Sequence, residues 1–141
     1  MVADRLQPLA EVKRIKIRMN AEAANPVSME SGDAAVLVSN LLLNALQHSP
    51  AESLVAVSVC ACAGGTELRV ADQGEGISES ALPHVFERFY RADASRSRQS
   101  GGAGLGLAIC KAIVERAHGK IEIQSLLEQG TEVTATFPAL N

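Results

Sequence analysis

Three clusters in this 141-residue chain combine residue types and spacings that could do chemistry. Asn40, Asn44 and His48 stand at i, i+4 and i+8, so on a helix they share one stripe. Amide oxygens on such a stripe suit a hard cation such as Mg²⁺, which takes oxygen ligands and shares them with phosphates. The solvated side of an amphipathic helix would look the same. Asp72-Gln-Gly74-Glu-Gly76-Ile77 follows a β-prone run. A carboxylate at a strand end can accept a hydrogen bond from an exocyclic amine, and the glycines let the backbone approach a flat ring; a plain Asp/Gly turn reads alike. Gly101-Gly102-Ala103-Gly104-Leu105-Gly106-Leu107 leads into a helical pattern, and glycines before a helix N-terminus can present N–H groups to phosphates. The segment before it is rich in Arg and Ser and is no strand, so the dinucleotide-binding context fails, and no Gly-Lys-Ser/Thr completes a P-loop.

These clusters need elements to hold them. Residues 12–21 alternate apolar and basic side chains, with Ile15, Ile17 and Met19 on one face and Lys16 and Arg18 on the other, which is strand periodicity. Asn25-Pro26 turns the chain into a short expected strand at residues 27–30. Asp33 reads as the N-cap of a helix that runs to about Gln47 and stops at Ser49-Pro50. Residues 53–63 and 66–71 are β-prone and flank Gly64-Gly65, a hairpin signal. Ser78 starts a short helix ending near Pro83. Residues 87–104 hold no period, and a stretch that long in a compact domain reads as a functional lid. Residues 105–117 are helical, with Leu105, Ile109, Ala112 and Ile113 as the expected apolar stripe, and Gly119 ends them. Residues 121–125 and 132–137 close the chain as strands around Gln129-Gly130. Strands in runs and pairs, without strict βα alternation, predict an α/β two-layer sandwich: one mixed, largely antiparallel sheet with about three helices on one face.

Composition removes several classes. Hydrophobic residues make up 47% and charged residues 21%, so the chain can form a core and is not a disordered segment. One domain is expected over residues 1–141. Aromatics at 3% and a net charge of −3 argue against a nucleic-acid partner read by base stacking or by a chain-wide phosphate footprint. Cys60, Cys62 and Cys110 are an odd set without metal-ligand spacing, and all three read as reduced core residues of a cytoplasmic domain. No apolar run reaches bilayer-spanning length, so no membrane contact is expected of this chain.

Taken together, the clusters carry a resemblance that covers about residues 12–140. Asn40-Leu-Leu-Leu-Asn44-Ala-Leu-Gln-His48 resembles the N box, Asp72-Gln-Gly74-Glu-Gly76-Ile77 the first G box, and Val85-Phe86-Glu87-Arg88-Phe89-Tyr90-Arg91 the F box. Gly102-Ala-Gly104-Leu-Gly106-Leu107 resembles the second G box and Gly130-Thr131 the last. In this order they resemble the ATP-binding catalytic domain of bacterial sensor histidine kinases, within the superfamily of gyrase, heat-shock chaperone, kinase and MutL ATPases.

The resemblance implies a transferase that binds Mg·ATP and passes the γ-phosphate to a histidine. It implies Asn44 as metal ligand, Asn40 as its support, and His48 as a residue reaching the phosphates. Asp72 would read the adenine amine, with Gly74, Gly76 and Ile77 lining the base pocket. Arg88 and Arg91 would approach the triphosphate. Gly102, Gly104, Leu105, Gly106 and Leu107 would fold the lid over it, and Thr131 would line the nucleotide site. Relatives that hydrolyse ATP, and serine kinases of the anti-sigma type, usually carry Glu at the place of Asn40; an amide cannot be a general base for water. No His-acidic-Arg-Thr-Pro acceptor segment occurs, and neither His84 nor His118 fits one. The chain is therefore expected to be one piece of a longer kinase, with residues 1–11 as a connector or boundary. The expected partners are the phosphoacceptor (dimerisation) domain of the same parent and, through it, a response regulator; the parent could be anchored in the inner membrane. Two alternatives stay open: an anti-sigma-type serine kinase, and a non-catalytic nucleotide-binding scaffold.

Overall fold

The computed structural model describes residues 8, 10–21, 29, 32–87 and 106–139. Their elements are β1 (Lys16–Ala21), α1 (Asp33–His48), β2 (Leu54–Cys62), β3 (Gly65–Ala71), a 3-10 turn (Leu82–His84), α2 (Gly106–Arg116), β4 (Lys120–Leu126) and β5 (Gly130–Pro138). The five strands form one sheet in the order β1-β2-β3-β5-β4. Only β1 and β2 run parallel; the other three pairings are antiparallel. A parallel pair needs a crossover, and α1 lies between β1 and β2 in the chain. The mixed, largely antiparallel sheet of the sequence reading is what forms.

The helices cover one face. On β2, Val55 and Val57 are buried; on β3, Leu68 and Val70; on β5, Val133, Ala135 and Phe137. These positions alternate along each strand, so they share a face. Against them α1 sets Leu37, Leu41, Leu42, Ala45 and Leu46, and α2 sets Cys110, Ile113 and Val114. Leu42 and Leu46 are fully buried, each stabilising by about 1.5–3 kcal/mol relative to exposure. The two helices run antiparallel: Gly106 at the start of α2 faces Asn40, the Cys110 thiol points to the Leu37 carbonyl, and Arg116 pairs with Asp33 at 2.7 Å. Burial pushes the Cys110 thiol up to about 12.

Several local expectations are corrected. The first strand starts at Lys16, since residues 10–13 are helical and Val12 is exposed; Arg14 takes φ 59 at the junction, and alternation of side chains does not see that break. The N-cap is Gly32, with φ 87, and Asp33 is the first helical residue, placed to offset the helix dipole and to hold Arg116. The second short helix is a 3-10 turn, started by the Ala81 N–H on Ser78 Oγ at 3.2 Å. In α2 the buried stripe is Cys110, Ile113, Val114, with Ile109 and Ala112 exposed. Both rows are apolar, and only the docking of α2 on α1 chooses between them. Cys60 and Cys62 are half-buried on the sheet face opposite the helices, the other parity from Val55 and Val57, so of the three cysteines only Cys110 is core. His118 follows the helix in the left-handed region, φ 62, and the Gly119 N–H closes the end on the Val114 carbonyl. Of the expected strand at residues 27–30 only Met29 is described, and it is in no strand. Residues 88–104 of the expected lid lie outside the described residues.

Candidate functional site

The end of α1, the segment after β3 and the β4–β5 hairpin meet at one edge of the sandwich. Helix α1 reaches there because nothing interrupts it: no Gly or Pro lies between Asp33 and His48. Ser49, extended at ψ 141 before Pro50, stops it. The Lys13 ammonium closes the helix end on the Leu46 and Gln47 carbonyls, at 2.6 and 3.3 Å. The leucines face the sheet, which leaves Asn40, Asn44 and His48 on the flank. The first two are half-buried and the third is exposed.

Asp72 sits one residue past β3. Its Oδ1 accepts from the Gly74 N–H at 2.8 Å and from the Thr131 N–H at 3.2 Å. Its own N–H donates to the Thr131 carbonyl at 2.9 Å. One carboxylate oxygen is thus fixed by the backbone, while Oδ2 has no hydrogen bond among the described residues. The carboxyl lies above its ordinary value: burial raises it, and the Gly74 and Thr131 N–H groups and the charge of His48 pull it partly back.

The rest of the loop is pinned by close backbone contacts. A Cβ on Gly74 would stand 2.3 Å from the His48 carbonyl oxygen. One on Gly76, at φ 77, would stand 2.1 Å from the Leu126 carbonyl oxygen. Both sites exclude any side chain. The Ile77 N–H donates to Ser125 Oγ at 2.7 Å. Ser125 Oγ–H in turn donates to the Gly130 carbonyl at 3.0 Å and lies 2.8 Å from Thr131 Oγ1. The Glu128 N–H donates to the Glu75 carbonyl at 2.7 Å. Across the gap to α1, His48 Nδ1 and Glu75 Oε1 are 3.1 Å apart.

The structure therefore brings Asn40, Asn44, His48, Asp72, Gly74, Gly76, Ile77, Gly106 and Thr131 to one region. Asn40 donates through Nδ2 to the Val36 carbonyl at 3.1 Å, and its Oδ1 lies 3.6 Å from where a Cβ on Gly106 would be. An amide oxygen and the first residue of α2 are thus neighbours. Thr131 is buried and supports Asp72 through its N–H. Leu107 packs against the core. Arg88, Arg91, Gly102, Gly104 and Leu105 lie outside the described residues. In the F box, Phe86 is held by the Lys111 ammonium of α2, 5.9 Å above its ring. Two open hollows, one near Gly64 and His118 and one near Arg14 and Lys16, lie away from this region.

Glu75 and Ser125 escape sequence reasoning. Their partners are 27 and 48 residues away, and nothing local marks either residue. The donor set fits a nucleotide with a hard cation. It offers an oriented carboxylate with one open oxygen, amide oxygens one helical turn apart, and an imidazole on the same flank. Among the described residues no group of three or more His, Cys, Asp or Glu could hold a metal ion. Among them too, no helix is long and apolar enough to cross a membrane.

Residues 30–141 match the family described as histidine kinase-, DNA gyrase B-, and HSP90-like ATPase. Over 122 residues, 85% of this chain, it is 37% identical to the phosphate regulon sensor protein PhoR of Pseudomonas aeruginosa and covers 28% of it. Over 112 residues, 77% of the chain, it is 42% identical to the sensor-like histidine kinase SenX3 of Mycobacterium tuberculosis and covers 27% of it. The chain spans about a quarter of the length of these curated relatives. Among solved structures, the mycobacterial sensor histidine kinase MprB superposes with a TM-score of 0.77 at 29% identity, covering 97% of this chain and 91% of that one. The catalytic domain of histidine kinase ThkA gives a TM-score of 0.81 at 19% identity, with 97% and 87% covered, and shares the fold.

Proposed function

The chain belongs to the histidine kinase-, DNA gyrase B- and HSP90-like ATPase family, and from that premise we propose that it binds Mg·ATP at the edge described and presents the γ-phosphate to a histidine on a separate phosphoacceptor domain of the same parent. A response regulator then receives the phosphoryl group, and the work is done in the cytoplasm. The observation that carries this reading is Asp72. A half-buried carboxylate with Oδ1 committed to two backbone N–H groups can turn only Oδ2 to a ligand, and a single aimed acceptor suits the exocyclic amine of adenine.

Opposite it, the flank of α1 supplies the phosphate end. Asn44 offers an amide oxygen to the cation, with Asn40 beside the start of α2. A bound Mg²⁺ would neutralise phosphate charge, which phosphoryl transfer needs more than covalent help. His48 adds a donor one turn beyond Asn44. Arg88, Arg91 and the glycines at 102 and 104 are assigned to the triphosphate by resemblance. With Asn at position 40 no carboxylate stands there to activate water, which favours transfer over hydrolysis.

Calorimetry with ATP, with and without Mg²⁺, tests binding. Transfer from γ-labelled ATP by the full-length parent tests the reaction, the expected product being an acid-labile, alkali-stable phosphohistidine. No heat with Mg·ATP, or an acid-stable phosphoserine, would overturn the reading.

A further inference from the structure

The loop that carries Asp72 and the helix that carries Asn40 and Asn44 come from different parts of the chain, yet a nucleotide must touch both. Two direct contacts join them. One is steric: Gly74 lies flat under the His48 carbonyl. The other is polar: the Glu75 carboxylate reaches His48 Nδ1 at 3.1 Å. The backbone of Glu75 also takes the Glu128 N–H of the β4–β5 turn at 2.7 Å. Its neighbour Gly76 is wedged against Leu126. Glu75 thus ties three elements together: the base-side loop by the chain, the hairpin by its carbonyl, and α1 by its carboxylate.

We propose that Glu75 is a positioning residue for the nucleotide: its side chain holds the base-side loop at the spacing from α1 that lets one ligand engage Asp72 and the Asn44 flank together. This rests on the Mg·ATP reading above. It adds a residue that contacts neither base nor phosphate. The carboxylate acts through His48, the side chain of α1 that it meets at 3.1 Å. Because the pair is partly exposed, at 43% and 31% of the side-chain surface, its loss costs only a roughly two- to fivefold change in affinity.

The test compares a two-ended ligand with one-ended ones in the wild-type chain and in Glu75→Gln and Glu75→Ala. Mg·ATP spans both ends, adenosine engages only the base side, and Mg·tripolyphosphate only the α1 side. The expected result is Mg·ATP affinity weakened about two- to fivefold in Glu75→Ala and less in Glu75→Gln, with adenosine and Mg·tripolyphosphate affinities unchanged. Amide exchange at residues 74–77 in the nucleotide-free chain should quicken in Glu75→Ala, a readout that needs no ligand. Equal weakening of adenosine and ATP would mean local damage to the base pocket and would overturn the proposal, as would unchanged ATP affinity or unchanged exchange. If the wild type binds none of the three ligands, the Mg·ATP reading fails, and the exchange measurement still decides whether Glu75 ties the loop.

Discussion

Replacing Asp72 by Asn separates the two jobs of that side chain. The Gly74 and Thr131 N–H groups at 2.8 and 3.2 Å require an acceptor, so the Asn carbonyl oxygen must take the place of Oδ1. That forces the NH₂ group to the place of Oδ2. A donor then meets the exocyclic amine of adenine, itself a donor, and a charge-assisted bond worth about 1.5–3 kcal/mol is lost. ATP affinity should fall roughly ten- to a hundredfold. The same NH₂ would suit the carbonyl that guanine carries at that position, so preference for ATP over GTP should narrow. Stability should move the other way. Burial raises the Asp72 carboxyl above its usual 3.8. A raised acid binds more protons folded than unfolded, so its ionisation costs stability as pH climbs from 3.8 through the raised value. The Asn variant should be at least as stable as wild type at pH 7, with the difference fading below pH 3.8. Calorimetric competition between ATP and GTP, with thermal melts at both pH values, checks both arms. ATP affinity within twofold of wild type and an unchanged ATP:GTP ratio would refute Asp72 as the base reader, and a variant clearly less stable at neutral pH would refute the desolvation argument.

Asn44→Ala should abolish Mg²⁺-dependent ATP binding with little change in melting temperature, because Asn44 is half-buried on the polar flank of α1; Mg²⁺-dependent heats unchanged from wild type would exclude it as the cation ligand. Leu42→Ala removes a fully buried side chain from the helix–sheet interface and should cost about 2–5 kcal/mol in urea unfolding; a loss under about 1 kcal/mol would mean the site collapses freely. Brief alkylation of the native chain at pH 8 should mark Cys60 and Cys62 and spare Cys110, whose thiol is buried and pushed up to about 12; mass spectrometry showing Cys110 labelled as fast as the others would contradict its burial.

Sequence alone determined the periodic parts of this protein. The apolar pattern of α1, the hairpin at Gly64-Gly65 and the paired strands after α2 are local signals, and they specified the mixed sheet with helices on one face. The polar stripe Asn40, Asn44, His48 was legible because helical spacing is fixed at about 3.6 residues per turn. Asp72 stood out only in company: alone it reads as a plain Asp/Gly turn, and the order of the other clusters around it gave it a role. Other features waited for the tertiary structure. Two apolar rows on α2 were equally good until α1 selected the one with Cys110 and Val114. The strand parity that puts Cys60 and Cys62 on the open face depends on where β2 meets the helix layer, and that is a matter of docking. Gly32 is the cap, and Asp33, the first helical residue, is engaged instead by Arg116, 83 residues away. Glu75 and Ser125 gained their roles from contacts across three elements, which no spacing rule encodes. Periodic, short-range physics is written in the order of residues. Which of two acceptable faces is buried, and which side chain ends beside which carboxylate, is settled only when the elements pack.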